Sequence, residues 1–160
     1  MATKAEKMQR FIRWYKEQMG TTEVDMREVA RFAEKNGWTM PEPVSPIDRL
    51  ARQFTNAARE EVRYDKKTGR PYRANHAIKG HKSEGGDQTY LWIDIDEAPR
   101  AKMLKSLVLR REQMVGDAYH LRLDQDHWNS IHPDEEQIDL PLDFKDDVNW
   151  RMNGPSEQAS

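Results

Sequence analysis

The sequence contains no cysteine. That excludes a disulfide framework, a thiolate zinc site and a cysteine nucleophile together, and it fits a reducing compartment. Long apolar runs are missing too. The opening stretch MATKAEKMQRFIRWYKEQMG breaks its apolar positions with acids and bases, so it offers no signal-peptide core, and no window approaches the roughly 20 apolar residues of a membrane span. A cytoplasmic location is expected. No phosphate-binding glycine loop, nucleophile elbow or zincin pattern occurs. Neither catalysis nor a cofactor is therefore expected.

With 160 residues the chain is long enough for one good core, or for one core plus a helical extension. Its mean hydropathy of -1.03 is polar for a folded protein. Five Trp, five Tyr and four Phe nevertheless argue against wholesale disorder. The net charge of -2 hides a segregation of charge. Between Ile47 and Lys82 ten bases face four acids, whereas between Asp117 and Trp150 ten acids face two bases. The middle of the chain is basic and its last third acidic, which governs encounters with charged partners more than it governs fold.

Met8, Phe11, Ile12, Tyr15 and Met19 recur at helical spacing over residues 4–19, and Gly20 supplies a stop. A second helix carries Val24, Val29, Phe32 and Ala33, with Thr22 or Asp25 to cap its start and Asn36-Gly37 to end it. After the proline-rich break TMPEPVSP, Ser45 is a natural N-cap, Pro46 fits the first helical position and Asp48 lies in the first turn. Ile47, Leu50, Ala51, Phe54 and Ala58 then form the apolar stripe of a third helix.

The period next shortens towards two. Val62-Arg63-Tyr64, the turn Asp65 to Gly69, and Arg70 to Ile78 read as a hairpin. The tract KGHKSEGGDQ reads as a flexible connection, and QTYLWIDID as a strand. From Ala98 to about Ile131, Leu104, Leu107, Met114, Ala118, Leu121 and Trp128 recur at steps near three and four. This predicts one long helix or two broken near Gly116. Pro133 ends it, and Asp143 is placed to cap a short last helix. The stripe over residues 104–128 suits either packing on the N-terminal helices or pairing with its copy in a homodimer.

Three helices, a basic hairpin and a further strand resemble the winged helix-turn-helix class over roughly residues 4–96. The resemblance rests on element order and charge. It implies an α+β, mostly α fold: a winged-helix-like domain with a hairpin wing over 1–97, a helical C-terminal extension over 98–152, and a flexible tail over 153–160. It further implies double-stranded DNA as partner, with the third helix entering the major groove and the wing touching the backbone. Arg49, Arg52, Gln53, Asn56 and Arg59 become candidates for base or phosphate contacts, and Lys66, Lys67, Arg70 and Arg73 for the wing, with Tyr72 beside them. The alternative is an adaptor module of phage or mobile-element type that uses the same scaffold, or the acidic tail, against another protein.

Two groupings carry residue types that can ligate a metal. Asp117, His120, Asp124 and His127 share a helical stripe, and Asp94 and Asp96 share a strand face. A hydrated helix face and a half-buried edge strand account for both patterns, and no metal is expected.

Overall fold

The structure, a computed structural model, describes residues 1–154. Its architecture is α+β, with small antiparallel sheets and a long C-terminal helix. The chain divides into two compact units, Met1–Arg52 and Gln53–Ser160, the second described as far as Gly154.

In the first unit, α1 (Lys4–Met19) begins with a reciprocal cap. Thr3 Oγ1 accepts the Glu6 amide at 3.1 Å while the Glu6 carboxylate accepts the Thr3 amide at 2.6 Å. Gly20 stops the helix at φ 62°, where a residue lacking Cβ carries little strain. α2 (Met26–Lys35) starts at Asp25, whose Oδ1 accepts the Arg27 amide at 2.7 Å. The two helices meet through aromatic rings. Phe11 lies edge-on to Trp14 at 5.4 Å and to Trp38 at 5.3 Å, and Phe32 approaches Tyr15 at 5.3 Å. Val29 is buried beneath them.

α3 (Pro46–Glu60) crosses the division between the units. Its start is as the sequence predicts: Ser45 Oγ accepts the Asp48 amide at 3.2 Å and donates to Asp48 Oδ2 at 2.7 Å. The apolar stripe, however, is not a core. No residue of α3 is buried, and Ile47 and Phe54 are 71 % and 69 % exposed.

In the second unit, β1 (Val62–Tyr64) pairs antiparallel with β2 (Pro71–Arg73), and β3 (Asn75–Lys82) pairs antiparallel with β4 (Gln88–Asp94). Residues 70–78, expected as one arm of a single hairpin, are thus divided between two hairpins, and Ala74 is the junction between them. Its N–H donates to Glu61 O at 3.1 Å, extending the first ladder, and its C=O accepts from Ile95 N at 2.9 Å, extending the second. Ala74 is fully buried, and its small side chain lets the two ladders come together there. The glycine tract connects the two strands of the second hairpin: Gly80 lies within β3, where an added Cβ would come 2.8 Å from Thr89 Oγ1, and Ser83 to Asp87 closes a turn with Gly86 at φ 85°.

α4 (Arg100–Ile131) is continuous through Gly116 over 32 residues. It docks on β3 through Ser106, which is fully buried and donates to Ala77 O at 2.7 Å. The helix and the strands lie in the same compact unit. Beyond α4 the chain runs back along it in extended form. Asn129 donates to Ile138 O at 2.8 Å and accepts from Ile138 N at 2.9 Å, and Gln125 Oε1 accepts from Leu140 N at 2.8 Å. The amides at successive turns of the helix stand in for a neighbouring strand. α5 (Lys145–Asn153) follows, with Asp143 Oδ1 accepting the Lys145 amide at 3.1 Å. Most of the expected tail, residues 155–160, lies outside the described residues.

Candidate nucleic-acid interface

The candidate residues divide between the two units. Arg49 and Arg52 lie exposed in the first unit; Gln53, Asn56, Arg59, Lys66, Lys67, Arg70 and Arg73 lie exposed in the second. Within the second unit the structure gathers some of them and leaves others apart.

Arg59 and Arg73 line one cleft of about 280 Å³ together with Arg110 from α4. Asn75, His76, Tyr90, Trp92 and Gln113 complete its polar and aromatic wall, and no carboxylate is among the lining residues. Arg59 enters from the end of α3, and its guanidinium carbon stands 5.6 Å from the centre of the Trp92 ring. That cation–π contact holds the cation against a flat apolar wall. Arg73 ends β2, next to the Ala74 junction. His76 Nε2 is 2.8 Å from Arg73 O, and since a carbonyl only accepts, Nε2 carries the hydrogen. Gln53 and Asn56 lie on α3 and do not line this cleft.

A second group occupies the β1–β2 turn. Lys66, Lys67 and Arg70 border a shallow depression with Tyr64, Asp65, Tyr72 and Asp96. Asp65 builds the turn: one carboxylate oxygen accepts the amides of Lys67 and Thr68, each at 2.8 Å, and the Thr68 hydroxyl at 3.1 Å. The amide and hydroxyl of Thr68 and the amide of Lys67 hold the Asp65 carboxyl below the usual carboxylate range. Asp65 is thereby spent on shaping the loop, and the flanking lysines project from a fixed frame. Arg70 donates to Asn153 Oδ1 at 3.0 Å and reaches Met152 O at 3.4 Å. Among the described residues, none of the nine candidates forms an ion pair.

One base of the middle segment is neutralised by carboxylates from later in the chain. Arg63 grips Asp94 with both guanidinium nitrogens, at 2.9 and 2.8 Å, and reaches Asp96 at 2.7 Å and Glu61 at 3.4 Å. The Tyr72 hydroxyl donates to the same Asp96 at 3.0 Å. The bond to Asp94, then that to Asp96, pushes the Arg63 pKa up, while the Arg63 bond pulls Asp94 down. The Asp96 carboxylate holds the phenol of Tyr72 above its ordinary value. Asp94 and Asp96 are thus tied to a guanidinium. Among the described residues no group of three or more His, Asp or Glu side chains is placed to hold a metal, the stripe Asp117 to His127 included.

Sequence reasoning missed Arg110, Tyr90, Trp92 and His76. Tyr90 and Trp92 carry a signal, since alternate residues of a strand share a face. Arg110 carries none, because its place depends on how α4 docks. No helix among the described residues is long and apolar enough to cross a membrane. Comparison of the chain with protein-family models, with curated proteins and with solved structures found no match.

Proposed function

We propose that this protein binds DNA without catalysis, gripping phosphates with Arg59, Arg73 and Arg110 and reaching adjacent backbone with Lys66 and Lys67. The observation that carries the reading is the cleft wall itself: three arginines and no carboxylate. Guanidinium groups held against a rigid wall lose little freedom when they grip a phosphate, and each neutralised phosphate releases counterions. In the winged-helix form of the proposal, α3 is the recognition helix, presenting Arg49, Arg52, Gln53 and Asn56 to base edges, and the β1–β2 turn is the wing. A cytoplasmic regulator acting as a homodimer fits that form.

The test is a duplex-binding titration across a salt series. Wild-type affinity should fall steeply with added salt, and Arg59→Glu with Arg73→Glu should abolish binding while the thermal transition stays in place. Arg49→Glu with Arg52→Glu tests the recognition helix separately, because these residues lie outside the cleft. Duplex binding that ignores both pairs removes the proposal.

One observation favours a second reading, the protein-interaction module. In the first unit, Met8, Phe11, Val29, Trp38 and Met40 help to line an apolar hollow of about 500 Å³. Hollows of that size and polarity suit an apolar side chain from another protein. An adaptor would show little heparin retention and no salt-sensitive duplex affinity.

A further inference from the structure

We infer that the arginine cleft accepts one unpaired nucleotide of a DNA strand, with phosphates on Arg59, Arg73 and Arg110 and the base on the ring of Tyr90. The inference rests on the proposal that this cleft grips DNA phosphates, and it adds which form of DNA fits there.

Three consecutive residues of β3 organise the cations. Asn75 Nδ2 donates to Ala58 O at 3.0 Å and so ties down the last turn of α3, which carries Arg59. His76 Nε2 donates to Arg73 O at 2.8 Å, and Ala77 O accepts from Ser106 at 2.7 Å, one helical turn before Arg110. Each arginine-bearing segment is thus held by a different residue of one strand. Arg110 and Gln113 continue the face of α4 that Ser106 begins, so this face turns from packing to polar where it borders the cleft. The Glu61 carboxylate, 3.5 Å from Asn75 Nδ2, is turned to Arg63 at 3.4 Å and does not line the cleft. Among the described residues none of the three guanidinium groups forms an ion pair, and their mutual repulsion stands until an anion enters.

The aromatic wall selects the form of DNA. Tyr90 and Trp92 are alternate residues of β4 and both line the cleft. Trp92 is engaged with Arg59, whereas Tyr90 is 50 % exposed and, among the described residues, no ring or cation stacks on it. Gripping a phosphate needs no such ring. In a duplex each base is covered by its neighbours, while an unpaired base presents its flat face to an aromatic side chain. The Gln113 amide adds a donor and an acceptor for the edge of that base. The cleft volume of about 280 Å³ is near the small end of pockets that hold one small molecule, roughly 300–1,000 Å³, and suits one nucleotide but no helix.

Fluorescence anisotropy of a labelled mixed-sequence oligonucleotide of about twelve nucleotides, single or annealed to its complement, tests this with the full chain. The single strand should bind at least about fivefold tighter than the duplex. Tyr90→Ala should weaken single-strand binding by at least about fivefold without changing its salt slope, because no phosphate contact is lost, and Tyr90→Phe should bind as the wild type does. A strand whose central sugars lack bases should bind the wild type as weakly as the intact strand binds Tyr90→Ala, with no further loss when the two are combined. Thermal melting confirms that each variant keeps its fold. Duplex binding as tight as single-strand binding overturns this inference and leaves the phosphate-gripping proposal standing, as does a base-free strand that binds the wild type like the intact one. Displacement of the strand by thymidine monophosphate at equal nucleotide concentration overturns the assignment to a strand. Absence of salt-sensitive binding to either form ends both the inference and the proposal beneath it.

Discussion

Arg63 on β1 and Asp94 on β4 meet side by side, both guanidinium nitrogens on both carboxylate oxygens, so that the two hairpins are joined by side chains as well as by backbone. The pairing gives a signed pH dependence. Asp94 is depressed in the folded protein, so below the ordinary carboxyl pKa of about 4 the unfolded chain takes up a proton before the folded one does. The stability that this pair contributes is present above that value and is lost as pH falls through the folded pKa. Urea unfolding between pH 5 and 2 should show a slope that Asp94→Asn flattens. Arg63→Ala should lower the melting temperature more than Arg31→Ala does, because Arg31 pairs only with Glu28 one helical turn away on an exposed surface.

Ala74 has no room to grow. Ala74→Leu should cost about 1–3 kcal/mol by overpacking, and Ser106→Ala about 1 kcal/mol through the lost bond to Ala77 O. Chemical denaturation measures both. If Ala74→Leu were neutral, the close meeting of the two hairpins would be refuted.

Asn129 holds the returning segment by donating to and accepting from Ile138. Asn129→Ala should speed hydrogen exchange at Ile138 and Leu140 by at least about tenfold, roughly the loss of 1.4 kcal/mol of local protection. Exchange within β3 should not change.

In the proposed DNA complex, Lys66→Ala with Lys67→Ala should weaken binding to all sequences alike and shallow the logarithmic salt slope by about 1.8 for two lost phosphate contacts. Trp92→Ala should act through Arg59 and weaken binding less than Arg59→Ala does, with Trp92→Phe restoring most of the loss. A salt slope unchanged in the double-lysine variant would take the β1–β2 turn out of the interface.

Much of the fold was legible because local chemistry decides it. Gly20, Asp25 and Ser45 end or begin helices through backbone angle and hydrogen bonding that need no tertiary information, and Asp65 to Gly69 closes a turn for the same reason. The change of strand pairing at Ala74 was not legible. Residues 70–78 alternate as one strand, and only the approach of β4 shows that the ladder changes neighbour there. The exposure of Ile47 and Phe54 was hidden for a related reason: periodicity marks an apolar face but not what covers it. At the site, Arg59 and Arg73 were found by charge, whereas Arg110 needed the docking of a helix that begins only at Arg100.

The junction at Ala74 couples the alignment of the two hairpins. A slide of either ladder by a single step would turn every side chain on it to the other face, carrying Arg73 out of the cleft and Arg63 away from Asp94 in one movement. The cation cluster and the ion-pair knot therefore stand or fall with one common frame, set by a residue that contributes no charge to either.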